Sequence, residues 1–195
     1  MAHKTGTDLY FLTGNHNKFL EIKAFIPALK QLDIDLEEIQ SLSANDIIQA
    51  KLNEASKYYQ AEFIVEDTSL YLDCLNGLPG PLIKWFLQAL GCEGLFQMAK
   101  KLGNTNATAR TIIGYRNGHG NIMFFEGSLA GNICAPMGDN GFGWDRVFMP
   151  EGQTRSFAQM DDAEKQSISM RTIALNKLRD YSHPKKVLST LIINF

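Results

Sequence analysis

A short apolar run, Asp8 to Leu12, breaks off into Thr13-Gly14-Asn15-His16-Asn17-Lys18 and gives way at once to Phe19, Ile22, Phe25 or Ile26, and Leu29. The first part has the character of a buried strand that ends near Gly14, and the second has the spacing of a helix, which Pro27 ends or kinks. The junction between them is dense in small and polar groups. An ordinary turn is one explanation. The other is a cradle for an anion: a helix N-terminus exposes unpaired N–H groups and the positive end of the dipole, and Lys18 adds a full charge. The run is not the G-x-x-x-x-G-K-[ST] phosphate loop, and taken alone it favours the plain turn.

The same mixing of periods continues along the chain. Residues 34–39 predict a second strand, and 44–60 a helix with Ile47, Ile48, Leu52 and Ala55 turned inward. Residues 62–75 predict one or two strands with acids in the middle, and 76–81 form a turn cluster rich in Gly and Pro. A helical pattern returns from Leu82 to Leu102, broken near Gly91 and Gly94. Two β-rich runs flank Asn117-Gly118 and predict a hairpin over 109–131, followed by a short strand at 146–150. One last helix is predicted from Asp161 to Tyr181, with Asp161 and Glu164 resembling a capping box. The class is therefore α/β with an added hairpin region, and 195 residues fit a single domain, 1–195.

Charge narrows the partners. Nineteen Lys and Arg stand against 21 Asp and Glu, a net charge of −2. That balance argues against non-specific binding to nucleic acid, so cations for a small anion would have to be gathered locally. Cys74, Cys92 and Cys134 have no metal or redox spacing and read as reduced thiols of a cytosolic protein. The four histidines are far apart, so a metal is expected to be a hard cation held by carboxylates. The N-terminus lacks the apolar stretch of a signal peptide, and no apolar run reaches the roughly 20 residues that span a bilayer. The apolar tail, 187–195, is expected to dock as a terminal element.

Four further constellations invite a chemical reading. Val65-Glu66-Asp67-Thr68-Ser69 puts two carboxylates in a buried-type strand, their side chains on opposite faces, so that either one faces a site or both are solvated at a strand edge. Lys84 sits among Leu82, Ile83, Trp85, Phe86 and Leu87, where it either snorkels or points at an anion. Phe142-Gly143-Trp144-Asp145 places aromatics and an acid on a glycine loop, suited to stacking and reading a nucleobase, or simply to anchoring the loop. Lys165 and Arg171, six residues apart on one helix, would stand roughly 120° apart around it, either as a solvated helix surface or meeting a ligand from different angles.

The order of these pieces is more specific than any one of them. T-G-N-x-x-K, V-E-D-T, G-L-P-G-P-x-I-K-W-F, F-G-W-D and A-E-K-x-x-x-S-x-R, running from about Leu9 to Tyr181, resemble the inosine triphosphate pyrophosphatase, or Ham1, family. The resemblance implies an elongated two-lobed α/β domain with a long mixed sheet, flanking helices and a central cleft, acting as a cytoplasmic homodimer. It implies Mg²⁺-dependent hydrolysis of inosine, deoxyinosine or xanthosine triphosphate to monophosphate and pyrophosphate. It implies that Thr13, Gly14, Asn15, His16, Asn17 and Lys18 form the triphosphate loop, with Lys51 and Lys84 on the phosphate side. Glu38, with Glu37 as its rival, and Asp67 would hold the metal, and Asp67 would also activate water, with Thr68 beside the substrate. Phe142, Gly143, Trp144 and Asp145 would take the base, with Lys165, Met170 and Arg171 at that end. Met170 stands where the family has a histidine that contacts the purine, and Asp145-Arg146 where Asp-Pro is usual. Both departures bear on base selectivity, and neither touches the phosphate chemistry. They leave two alternatives open: a nucleotide-binding protein with little catalysis, or a pyrophosphatase for another altered nucleotide.

Overall fold

The computed structural model describes residues 8–34, 36 and 38–182. In order along the chain lie β1 (Leu9–Leu12), α1 (His16–Phe25), β2 (Lys30–Leu32), α2 (Ala44–Ala55), β3 (Glu62–Leu72), β4 (Pro79–Gly80), α3 (Ile83–Lys101), β5 (Asn106–Arg116), β6 (Ile122–Ile133), β7 (Phe148–Pro150), α4 (Asp162–Ile168) and α5 (Met170–Ser182). The strands form one seven-stranded mixed sheet in the order β2-β1-β3-β5-β6-β7, with β4 paired to β3 off this path. β1 runs parallel to both β2 and β3, and the remaining pairs are antiparallel.

Alternation along the strands decides which helix covers which face. Leu12, Phe63, Val65 and Ile112 pack under Ala44, Ile48, Leu52 and Ala55 of α2. Their neighbours Leu9, Phe11, Ile64 and Ile113 pack on the other face against Ile22 and Ile26 of α1 and Ala174, Leu175 and Leu178 of α5. A third cluster fills the far half of the sheet, where Leu70 and Leu72 meet Leu95, Phe148 and Phe157. Burying side chains of this size contributes about 1.5–3 kcal/mol each. At Gly127 of β6 a Cβ would lie 1.9 Å from the Met170 carbonyl oxygen, so only glycine lets the start of α5 press onto the sheet.

The chain leaves β1 through α1 to reach β2 on one side, then returns through α2 to β3 on the other. Since α1 and α2 cover opposite faces, the carboxyl end of β1 is a switch point, where open α/β sheets form a crevice. The crevice has a second cause. β1 pairs with β3 only as far as Ile64, and β4 joins that edge only at Leu70. Between them no strand among the described residues pairs with that edge of β3.

Several sequence expectations are corrected. The second strand is Lys30–Leu32 rather than 34–39, whose described residues carry no strand. The last helix is two helices, because Ser169 takes an extended conformation (φ −68°, ψ 149°) between α4 and α5. The hairpin turn is wider than Asn117-Gly118: the Asn117 side chain accepts from the N–H groups of His119 and Asn121, and Gly120 supplies the positive φ of 88°. The α3 break falls at Gly91, at φ 64° and ψ −179°. The capping box of Asp161 and Glu164 forms as read. The apolar tail, 187–195, and Glu37 lie outside the described residues.

Candidate active site

The crevice is a cleft of about 850 Å³. Its phosphate-side wall begins at the opening junction. Asn15 caps α1, its side chain accepting from the Lys18 N–H at 3.1 Å, and Asn15 N–H donates to Thr13 Oγ1 at 3.0 Å. The capped helix start turns Thr13, Gly14, Asn15, His16 and Lys18 into the cleft. Lys51 reaches it from α2, where its ammonium lies 2.9 Å from Glu38 Oε1. Lys84 reaches it from the first turn of α3, its Nζ 5.3 Å from the centre of the Trp85 ring. Trp85 Nε1–H in turn donates to Gln40 Oε1 at 2.6 Å, tying the Glu38 segment to α3.

β3 supplies the floor. Glu66 and Asp67 do point to opposite faces: Glu66 accepts from Thr68 Oγ1 at 2.6 Å, and Asp67 from Ser69 Oγ at 2.5 Å. Yet both line the cleft, because it wraps around that edge of the strand. The expectation that only one of them faces a site is thus corrected. Their electrostatics differ sharply. Burial pushes the Glu66 carboxyl up, but Arg171 and Lys18 outweigh it and hold Glu66 far below its ordinary value of 4.5. Burial lifts Asp67 above its ordinary 3.8; Lys18 and Ser69 oppose the rise, while the Glu66 and Glu38 charges reinforce it.

The far end is a chain of alternating charges. Arg171 donates to Glu66 through Nε (2.6 Å) and Nη2 (2.9 Å), and through Nη1 to Glu21. Glu21 also accepts from Lys165 at 3.0 Å, and Lys165 donates to Asp145 Oδ2 at 2.7 Å. Asp145 Oδ2 accepts the Phe142 N–H at 2.8 Å and so closes the glycine loop. Phe142 lies over this chain, 4.9 Å from Lys165 Nζ and 5.8 Å from the Arg171 guanidinium. The break at Ser169 explains why Lys165 and Arg171 converge on one acid. The 120° separation assumed an unbroken helix.

Of the expected substrate- and metal-binding residues that the structure describes, all line this cleft except Asn17. Trp144 touches the cleft but is 6% exposed, and its ring packs against Phe148 (5.4 Å, edge-on) and Phe157 (6.4 Å), which anchors the glycine loop on the core. Met170 is buried at the wall. Sequence reasoning missed Glu21, and named Glu66 only as the alternative to Asp67. Glu21 follows Lys18 by three residues, a spacing that puts the two on one helix face and could have flagged it. Among the described residues no three His, Cys, Asp or Glu side chains cluster as a metal cage, and no helix is long and apolar enough to cross a membrane.

Comparison with known proteins bears on the whole chain. The inosine triphosphate pyrophosphatase of Schizosaccharomyces pombe is 38% identical over 182 residues, covering 91% of this chain and 96% of that protein. The Neurospora crassa protein of the same name is 41% identical over 175 residues, covering 88% and 90%. In fold, the Staphylococcus aureus Ham1 protein superposes with a TM-score of 0.76 at 25% identity, over 91% of this chain and all of that one. A Coxiella burnetii HAM1 protein gives 0.77 at 22% identity, over 90% and 98%. The model of the Ham1 family matches residues 9–181, and the chain belongs to that family.

Proposed function

We propose that this protein hydrolyses inosine triphosphate and related nonstandard purine nucleoside triphosphates to the monophosphate and pyrophosphate. One observation carries the reading: a single cleft sets carboxylates and lysines at one end and a stacking ring beside cations at the other. Relatives named inosine triphosphate pyrophosphatase support the substrate class.

A nucleoside triphosphate brings about four negative charges, and clustered cations are what hold transferring phosphoryl groups. In this reading Lys18, Lys51 and Lys84 gather the phosphates, and the capped N-terminus of α1 adds oriented N–H donors. Asp67 orients the attacking water and accepts its proton. Its raised proton affinity suits that role, since a base works best when its pKa lies near the working pH. Phe142 stacks the purine, while Asp145, Lys165, Glu21 and Arg171 hold that ring in place.

The donor set fits Mg²⁺, which takes one or two carboxylates together with waters and phosphate oxygens and needs no all-protein cage. Glu38 already holds one cationic group, the Lys51 ammonium, and Asp67 is a buried carboxylate with two acids nearby. Glu38 and Asp67 would hold the ion, whose chemistry is to neutralise phosphate charge and acidify water. In the same reading the protein works as a homodimer in the cytosol.

The test is a pyrophosphate-release screen over a panel of nucleoside triphosphates, with Mg²⁺ and with chelator. Release from inosine and xanthosine triphosphates, lost on chelation, is the expected result. Binding without release from any member of the panel would leave a nucleotide-binding protein instead.

A further inference from the structure

The cations of the cleft are not equivalent in the free protein. Lys51 Nζ lies 2.9 Å from Glu38 Oε1, and both side chains are partly open, at 23% and 43% exposure. Lys84 lines the same wall and makes no ion pair among the described residues; its ammonium rests over the Trp85 ring. The carboxylate assigned to the metal is therefore already occupied by a lysine assigned to the phosphates.

We propose that Lys51 is a placeholder: its ammonium sits on Glu38 in the free protein, is displaced when a divalent cation takes Glu38, and is thereby released to the triphosphate. The proposal rests on the reading of Glu38 as a metal ligand and adds a consequence to it. An exposed pair of this kind is weak, so a divalent ion can displace it, and the lysine has a second anion within the same cleft. Each ligand then removes an obstacle to the other. The cation frees Lys51 for phosphate, and phosphate draws Lys51 off Glu38. Binding is mutually reinforcing, and by linkage the reinforcement is the same in both directions. A cleft in which cation and triphosphate assemble together avoids holding either one unproductively.

The placeholder makes an unusual prediction about a substrate-side lysine: removing it should improve metal binding. Titrating the nucleotide-free protein with Mg²⁺ by calorimetry, Lys51→Met should bind about three- to tenfold more tightly than wild type, since a competitor and a nearby like charge are both gone. Lys84→Met removes the same charge from the same wall without vacating a carboxylate, and should gain clearly less. Lys51→Met should also lose most of the mutual reinforcement between Mg²⁺ and a non-hydrolysable triphosphate analogue. Unchanged or weaker Mg²⁺ binding in Lys51→Met, or an equal gain in Lys84→Met, overturns the proposal. Glu38→Gln separates the two layers. If it binds Mg²⁺ as wild type does, the metal reading of Glu38 itself is wrong and the placeholder falls with it; if it binds poorly while Lys51→Met shows no gain, only the placeholder falls.

Discussion

The two ends of the cleft carry similar numbers of charges and use them in opposite ways. At the phosphate end the Lys51–Glu38 pair is partly open to solvent, Lys84 rests on a ring, and Lys18 alone reaches across to the buried Glu66, at 3.2 Å. At the base end the partners are sealed: the Arg171 side chain is 4% exposed and that of Glu66 is fully buried, each held by several hydrogen bonds. Exposed pairs contribute little and exchange readily, whereas breaking a buried pair leaves a stranded charge. The phosphate end is thus built to trade its partners for a ligand, and the base end is built as scaffold. Substitutions at the first should injure activity and spare the fold, and substitutions at the second should injure the fold.

The sharpest break of this contrast would come at Asp67. Asp67→Asn should lower turnover by about 10²- to 10⁴-fold, the usual worth of a positioned base. It should not lower stability. The folded protein binds the Asp67 proton more tightly than the unfolded chain, so ionising Asp67 costs stability as pH rises from its ordinary 3.8 through its raised folded value. Asp67→Asn removes that cost, and its stability should gain on wild type over the same pH range in urea titrations.

Arg171→Met should do the reverse, costing about 3 kcal/mol in denaturant unfolding, because buried Glu66 loses both guanidinium hydrogen bonds and keeps only the Lys18 ammonium, 3.2 Å away, as a cationic partner. Adding Glu66→Gln should recover part of the loss, since the two effects are coupled. The acid side gives an independent reading. Glu66 is depressed in the folded state, so its stabilisation is complete above its ordinary 4.5 and fades as pH falls toward the folded value. Glu66→Gln should lack that acid-sensitive component.

Lys51→Met should change stability by no more than about 1 kcal/mol, as for other exposed pairs, while raising KM for the triphosphate. A large stability loss here would erase the distinction between the ends. The smallest effect belongs to Met170→His. Methionine cannot donate a hydrogen bond, so discrimination between inosine and guanosine triphosphates should move by about tenfold or less when a donor is introduced, with polar groups that demand a partner as the cause. An unchanged ratio of the two rates would show that Met170 has no part in reading the base.

Much of this arrangement is legible in the chain alone. Leu9–Leu12, the inward face of α2 at Ile47, Ile48, Leu52 and Ala55, and the capping box at Asp161 all follow from local period and polarity. What was not legible depends on tertiary context. The turn at Ser169 leaves no proline or glycine signal, so α4 and α5 read as one helix and the meeting of Lys165 with Arg171 at Glu21 was hidden. β2 is three residues long, too short for a period, and the more apolar run after it drew the assignment. Local sequence offers Glu66 and Asp67 as alternatives, because opposite faces of a strand seldom serve one site. They do here because β1 stops short and exposes the edge of β3.

The most direct measurement follows the oxygen of the attacking water. If the base end fixes the nucleoside and Asp67 delivers water to the α-phosphorus, hydrolysis of inosine triphosphate in heavy-oxygen water places the label in inosine monophosphate and leaves the pyrophosphate unlabelled. Label in pyrophosphate or in orthophosphate would mean attack farther along the chain, and would contradict the division of the cleft described above.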